Sequence, residues 1–316
     1  MSASSIHDEW PELSYPEWEA TQKTLQLYTQ IAGKTRLCLN NPKPQWVGAS
    51  LLLTARGLTT TPMPHGAESV EVVFDFYDDS ISINTSGGGS GKIALVPAKC
   101  VADVYEQYMN ILSDLGVHVE IWTKPQEVDG ATPLDQDRHH CTYDPEHARR
   151  FFRVLTAVAN VFEEWHSRFF GRTSVQFWWG SFDLSVLAFS GKQSAPPPGA
   201  NYIMRYDLDA EHLACGFWPG GDASPEPMLY AYMYPQPPGC ESAQIKPAAA
   251  SWVKDLGEWV LPYQEVRRSA NPRLEILEFL ASAYDVAGSL GGWDLESFAY
   301  SPPPVRTRRI EAVSPK

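Results

Sequence analysis

Residues 179–199 read WGSFDLSVLAFSGKQSAPPPG: a tryptophan, a strand-like run, then Gly191 followed at fixed spacing by Pro196 and Pro198. Residues 46–66 read WVGASLLLTARGLTTTPMPHG and run the same way, with Gly57, Pro62 and Pro64 in the same Gly-x-x-x-x-Pro-x-Pro spacing. The agreement extends in both directions. Upstream of each stretch lies a segment that opens Pro-Glu and closes Gly-basic-Thr: YPEWEATQKTLQLYTQIAGKT from Tyr15 and DPEHARRFFRVLTAVANVFEEWHSRFFGRT from Asp144. Trp18, Thr21, Leu25, Tyr28 and Ala32 fall at helical spacing in the first, and Phe151, Leu155, Val158, Phe162, Trp165 and Phe169 in the second. Pro16 and Pro145 suit a first helical turn, Asp144 suits a cap, and Gly33 and Gly171 suit a stop.

Downstream, each copy has an Asp-bearing segment that reads as a strand, VEVVFDFYDD and YIMRYDLDAE, and then a glycine pair, Gly87-Gly88 and Gly220-Gly221. In the first of these, Val70, Val72, Phe74 and Phe76 share a face. Each copy ends with a strand and a helix: KIALVPAKCVADVYEQYMNILSDLG, then EWVLPYQEV with NPRLEILEFLASAYDVAGSLGG. Two α-β-β-β-β-α units are therefore predicted over residues 14–125 and 142–295, with a Pro/Asp-rich linker at 126–141. The second carries an insertion at 225–239, PEPMLYAYMYPQPPG, and residues 296–316 read as a disordered tail. Short Gly/Asp turns hold antiparallel strands and not parallel crossovers, so the fold class is α+β. Two similar units predict a pseudo-twofold arrangement, with a cleft at the junction as a place for a ligand.

Bulk properties narrow the function. The chain has 316 residues and a formal net charge of −13. That balance predicts no nucleic-acid partner and no adsorption to anionic membranes, both of which need clustered Lys and Arg. The basic cluster Arg306, Arg308 and Arg309 sits in the tail. No apolar run approaches the length of a membrane span. The opening MSASSIHDEW has neither a basic start nor an apolar run, so no signal peptide is expected. The cysteines, Cys38, Cys100, Cys141, Cys215 and Cys240, are scattered and form no CxxC pair. That predicts neither a disulfide framework nor a zinc site, and a reducing, cytoplasmic location. The expected state is a monomer or weak homodimer.

The chemistry-bearing residues gather in a few places. In VQFWWGSFDLSV, residues 175–186, strand alternation puts Trp178, Phe182, Leu184 and Val186 on one face and Phe177, Trp179, Ser181, Asp183 and Ser185 on the other. The second face is both aromatic and polar. In the insertion Tyr230, Tyr232 and Tyr234 alternate with Leu229, Ala231 and Met233, with Glu226 just before them. Phenol rings give apolar contact with a hydroxyl handle, which suits a small, partly polar ligand. Asp183, if desolvated among these rings, would titrate high and could act as acid or base. The plainer alternative is a face sealed under a helix.

The linker LDQDRHHCTYD crowds Asp135, Asp137, His139, His140, Cys141 and Asp144 without metal-ligand spacing. No metal and no cofactor are predicted. His140 is a candidate general base, since imidazole titrates near neutrality; an exposed loop explains it equally. Arg56, beside Thr54 and Thr59 to Thr61, could clamp an anion, or pair with Asp75 or Asp78. SGGGSGK at 86–92 lacks the spacing of a phosphate loop and reads as a hairpin turn.

The opening WPELSYPEWEATQKTLQLYTQIAGKTRL at 10–37, with TARGLTTTPMPHG, YDPEHARRFFRVL, WWGSFDL, GFWPGG and LYAYMYPQP, resembles a family of uncharacterised, mostly bacterial proteins known as a domain of unknown function. The resemblance covers about residues 10 to 295. It implies a soluble protein of one repeating architecture and brings no activity with it. One departure from the pattern is Gln26, where the family has histidine. The expected function is small-molecule binding in an aromatic and polar pocket of the second unit, with Trp179, Ser181, Glu226, Tyr230 and Tyr232 as ligand contacts. The alternatives are an enzyme using Asp183, His140 and Arg56 for acid-base chemistry there, or a structural or interaction protein.

Overall fold

The computed structural model describes residues 9–128, 130–222 and 224–301. Its first element is the helix α1, Tyr15–Leu39, begun by a proline in its first turn. The strands β1 (Leu52–Leu53), β2 (Gly57–Thr59), β3 (Met63–His65), β4 (Glu68–Asp75), β5 (Ser80–Thr85) and β6 (Ser90–Ala94) follow, and then helix α2, Val101–Asp114. The second unit begins with α3, Pro145–His166. It continues with β7 (Gln176–Trp178), β8 (Asp183–Gln193), a short helix α4 (Tyr202–Asp207), β9 (Ala210–Trp218), β10 (Met228–Tyr234), β11 (Ser251–Val253) and β12 (Glu258–Pro262). The helices α5 (Tyr263–Arg268), α6 (Pro272–Gly291) and α7 (Leu295–Phe298) complete it.

The class is α+β, built of two similar units, each with an antiparallel sheet of six strands. The repeat predicted four strands per unit; the extra ones are two- and three-residue pieces, too short to leave a pattern. The first sheet runs β1-β2-β4-β5-β6 with β3 on β4, and the second runs β7-β8-β9-β10-β12-β11. Both therefore grow outward from a shared middle. There Leu51 and Phe177 form an antiparallel bridge through two reciprocal N–H···O bonds of 2.8 Å. A reciprocal bridge with sheets fanning outward on both sides is what the pseudo-twofold reading requires.

The core lies between the sheets and the helices. Val70, Val72, Phe74 and Phe76 are buried together, as their alternation predicts, and so are Phe151, Leu155, Val158, Phe162, Trp165 and Phe169 of and beyond α3. Phe151 stacks on Phe182 with ring centroids 5.2 Å apart and meets Phe177 at 6.2 Å. Asp144 caps α3 by accepting from the N–H groups of Glu146 and His147 at 2.8 and 3.0 Å. SGGGSGK forms the turn between β5 and β6.

Four readings change. Gly33 does not end α1, which runs on to Leu39. A Cβ on Gly33 would lie 2.2 Å from the Trp179 indole, so this glycine is a notch that receives a ring from the other unit. YIMRYD is a helix and not a strand, because Asn201 caps it by accepting from the Met204 N–H at 2.9 Å. Cys100 and Cys141 form a disulfide across 41 residues. The N–H groups of Val101 and Ala102 bond the carbonyls of His140 and Asp137, which folds the linker back onto the start of α2. Spacing alone carries no sign of that return. Finally, the start of the predicted tail is ordered: residues 296–298 belong to the helix Leu295–Phe298 and Ala299 bridges Phe169, while residues 302–316 lie outside the described residues. No described helix is long and apolar enough to cross a membrane.

Candidate functional site

Residues 175–186 are not one strand. A turn at 179–182, with Phe182 at φ 62°, folds β7 back on β8, so that Trp178 sits opposite Asp183 and Phe177 opposite Leu184. Opposite residues of an antiparallel pair share a face. Trp178 therefore joins Asp183 and Ser185, and Phe177 joins the core, the reverse of the assignment that unbroken alternation gives. The Trp178 indole donates to Ser185 Oγ at 2.7 Å, and that of Trp179 donates to the Ala49 carbonyl at 2.7 Å.

The face away from the helices carries Asp183, Ser185 and Leu187 on β8, and Tyr230 and Tyr232 on β10, with Glu258 on β12. Between β8 and β10 runs β9, where Gly216 and Ala214 stand opposite Tyr230 and Tyr232. A Cβ on Gly216 would lie 2.2 Å from the Tyr230 ring. The small residues of β9 thus let the tyrosine lie flat across a strand and deliver its hydroxyl to Asp183. Tyr230 donates to Asp183 Oδ2 and Ser181 donates to Oδ1. Tyr230 and Tyr232 stack with centroids 6.2 Å apart.

Three segments roof this face. One is the 3-10 turn Pro44–Trp46, whose Trp46 packs against Tyr202 and Tyr206 of α4 at 5.7 and 6.2 Å. Gln45 clasps Asp209 through Nε2 at 2.6 Å. The second is α4, which contributes Ile203 and Asp207. The third is the segment at Gln126 and Glu127, held from α1: Gln30 bonds both the N–H and the carbonyl of Gln126 at 2.8 Å. One turn earlier, Gln26 donates to the Gly180 carbonyl at 2.6 Å, fixing the β7–β8 turn. Gln26, Gln30 and Gly33 lie along one side of α1, so the first helix holds both the turn and the roof.

The result is a cavity of about 480 Å³ lined by Trp46, Trp178, Trp179, Trp218, Tyr230 and Tyr232 together with Asp183, Asp207, Glu258 and Glu127. Its size suits a small organic molecule. No Lys, Arg or His lines it among the described residues. Burial pushes the Asp183 carboxyl up, against the pull of Ser181 and Tyr230. Glu258 is pushed up to about 7 by burial and then by Asp183. Asp207 is raised to about 7 by burial, Asp183 and Asp209. Glu127 stands at the rim with part of its side chain in water, but its carboxyl packs over Gly180 and is pushed up to about 7 by that burial and then by the charges of Asp183 and Asp207. Tyr230 and Tyr232 are raised well above the ordinary phenol, first by burial and then by nearby carboxylates.

Of the residues singled out in the sequence, the cavity brings together Trp179, Ser181, Asp183, Tyr230 and Tyr232. The structure places the other three elsewhere. Glu226 is exposed and not part of the lining. Arg56 is exposed and bonds Asp75 Oδ2 through Nε at 2.6 Å, the ion-pair alternative. His140 contacts buried Asp137 through Nδ1 at 2.7 Å, in a surface depression with Glu17, Glu19 and Lys23. Burial alone would raise Asp137, but the His140 and His139 N–H groups and the His140 ring outweigh it and keep it low. Sequence reasoning missed Trp178, Asp207, Glu258 and Glu127. Trp218, at the end of β9, also stands in the cavity wall. Among the described residues no three His, Cys, Asp or Glu side chains are grouped to hold a metal ion.

Fold and site define an α+β protein of two similar units with an acidic, aromatic cavity on the second sheet, roofed by α4 and by two segments from outside the second unit. The chain belongs to the family described as Family of unknown function (DUF5996), which it matches over residues 10–300. No curated protein and no solved structure matches it.

Proposed function

We propose that the protein binds a small organic molecule in this cavity. The observation that carries the reading is the aromatic floor left open above the second sheet. Four tryptophans and two tyrosines of floor, wall and roof line about 480 Å³, and rings whose only role was packing would close on one another and leave no such space. Asp183 orients the wall, since both its oxygens accept hydroxyls from Ser181 and Tyr230. A second reading, acid-base catalysis on the same ligand, is favoured by Asp207, Glu258 and Glu127 titrating at about 7, where a carboxyl can both take and give a proton.

A thermal-shift screen of small metabolites tests the binding reading on wild type, Asp183→Asn and Trp178→Ala. Compounds that raise the melting temperature of wild type are expected to do so less in either variant, because stabilisation follows occupancy. Hits that stabilise both variants as much as wild type would place the ligand elsewhere and sink the reading.

A further inference from the structure

The cavity has an uneven chemistry. Four carboxylates face it, from β8, α4, β12 and the segment at Glu127, and no protein cation answers them among the described residues. Asp207, Glu258 and Glu127 make no hydrogen bond or ion pair to a described side chain, and the half-buried Tyr232 offers its hydroxyl to the same space. Buried acids are normally paired, because an isolated charge costs several kcal/mol to bury. Elsewhere the shielded acids follow that rule: Asp75, 20% exposed, has Arg56, and Asp79, 16% exposed, has Arg149. Unanswered charge is concentrated where the space is.

That asymmetry sorts ligands. An anion would meet carboxylates and no donor cation. A neutral polyol could stack on the indoles and bond the acids, yet would leave their charge uncompensated. A metal ion needs donors converging on one point, and these acids are not so grouped. A quaternary ammonium has no N–H to give to carboxylate oxygens or to the Tyr232 hydroxyl. An aliphatic chain bearing separated ammonium groups meets each demand. Its methylenes lie on Trp178, Trp179 and the stacked tyrosines, its ammonium groups donate to acids on different walls, and ammonium over an indole or phenol face adds cation–π attraction.

Resting on the reading of the cavity as a ligand site, we propose that its ligand is a small aliphatic polycation, a diamine or polyamine, held between Asp183, Asp207, Glu258 and Glu127 over the aromatic floor.

Isothermal titration of the full chain at about 0.15 M salt, where loose surface adsorption is screened, tests this with spermidine, putrescine, choline, glucose, glutarate and magnesium as probes. Spermidine is expected to bind tightest, putrescine next and choline weakly, with no heat from glucose, glutarate or magnesium. Asp207→Asn/Glu258→Gln is expected to lose about tenfold or more in spermidine affinity; Glu258→Gln alone serves if the double variant does not fold. Equal spermidine affinity in wild type and variant would mean adsorption to the acidic surface and would overturn the proposal. Binding of glucose, glutarate or another uncharged or anionic molecule that Trp178→Ala abolishes would overturn the ligand class while leaving the cavity a binding site. If no probe and no screened metabolite depends on Trp178 or Asp183, both the class and the underlying reading fail.

Discussion

The two sheets share a plan and differ in how they treat acids. On the first, the face away from the core carries Glu71 and Asp75 on β4, and each is answered: Thr59 donates to Glu71 Oε1 at 2.6 Å, and Arg56 pairs with Asp75. Lys92 on β6 pairs with Asp78 in the turn. These side chains are wholly or partly open to water. On the second sheet the corresponding face is roofed by the 3-10 turn, α4 and the Glu127 segment, and its acids have no cations. The same sheet architecture thus yields an open surface in one unit, its acids bonded by Arg56, Lys92 or the Thr59 hydroxyl, and in the other a roofed hollow with no cation among the described residues. The difference teaches that the hollow is not an accident of sheet geometry. Two of the three roof segments come from outside the second unit, so the site exists only when both units are joined.

That dependence gives the largest expected effect. Phe177 is fully buried at the bridge between the sheets and touches Phe151 and Phe182. Phe177→Ala should cost about 3–5 kcal/mol, the usual range for deleting a buried ring. In urea unfolding followed by tryptophan fluorescence and by circular dichroism, both probes should shift to lower denaturant together. If wild type shows two separate transitions, the units fold independently and the comparison loses its premise.

How much of this could be read from residues follows from where the constraints lie. Proline and glycine act on their own backbone, so the repeated Gly-x-x-x-x-Pro-x-Pro and the paired Pro-Glu helix starts survive in sequence and revealed two units. Alternation is equally local, and it placed Tyr230 and Tyr232 on one face and Leu229 and Ala231 on the other, as the register of β10 shows. The same rule failed across residues 179–182, because Gly180-Ser181 opens a turn and a turn reverses facing; the turn signal was present and alternation overrode it. Gly33 read as a helix stop because only the fold reveals the ring that fills its notch. The remaining acids of the cavity come from three distant segments, and each alone looks like an ordinary charged residue in a loop or at a strand end. Their significance is a matter of what they do not touch, and no local pattern encodes that.

The next expected effect is smaller and of opposite sign. Glu258 titrates at about 7 in the folded protein against a reference of 4.5. A carboxyl raised on folding adds stability that is full below its unfolded value and is lost as pH climbs through its folded one. The groups that share its surroundings are Asp183 on β8, Asp207 on α4, Glu127 at the rim and the tyrosines of β10. Replacing Glu258 with Gln removes the loss. The unfolding free energy of Glu258→Gln minus that of wild type should therefore grow from pH 5.5 to pH 8, by on the order of 1–2 kcal/mol after allowance for partial solvation, since one unit of pKa is worth about 1.4 kcal/mol, and the melting temperatures should diverge in the same direction. A bound polycation should erase this pH dependence by holding the carboxylates charged. Differential scanning calorimetry at the two pH values checks the sign. A flat difference would mean that Glu258 is already neutralised by a partner, and the contrast between the sheets would weaken.

The smallest effect belongs to the first sheet. Arg56 pairs with Asp75 at 2.6 Å, yet its side chain is 55% exposed. Water and salt screen such a pair, and the ordered side chains lose entropy, so exposed pairs contribute about 0–1 kcal/mol. Asp75 also accepts from the N–H groups of Tyr77 and Asp78 at 2.9 Å, which keeps its carboxylate bonded when the guanidinium is gone. Arg56→Ala should accordingly leave the urea midpoint close to that of wild type and ligand binding in the cavity unchanged. The control matters because Arg56 also fits, on residue type alone, the role of an anion clamp. Weakened binding in this variant would mean that the two faces communicate, and that the first sheet does more than neutralise its own acids.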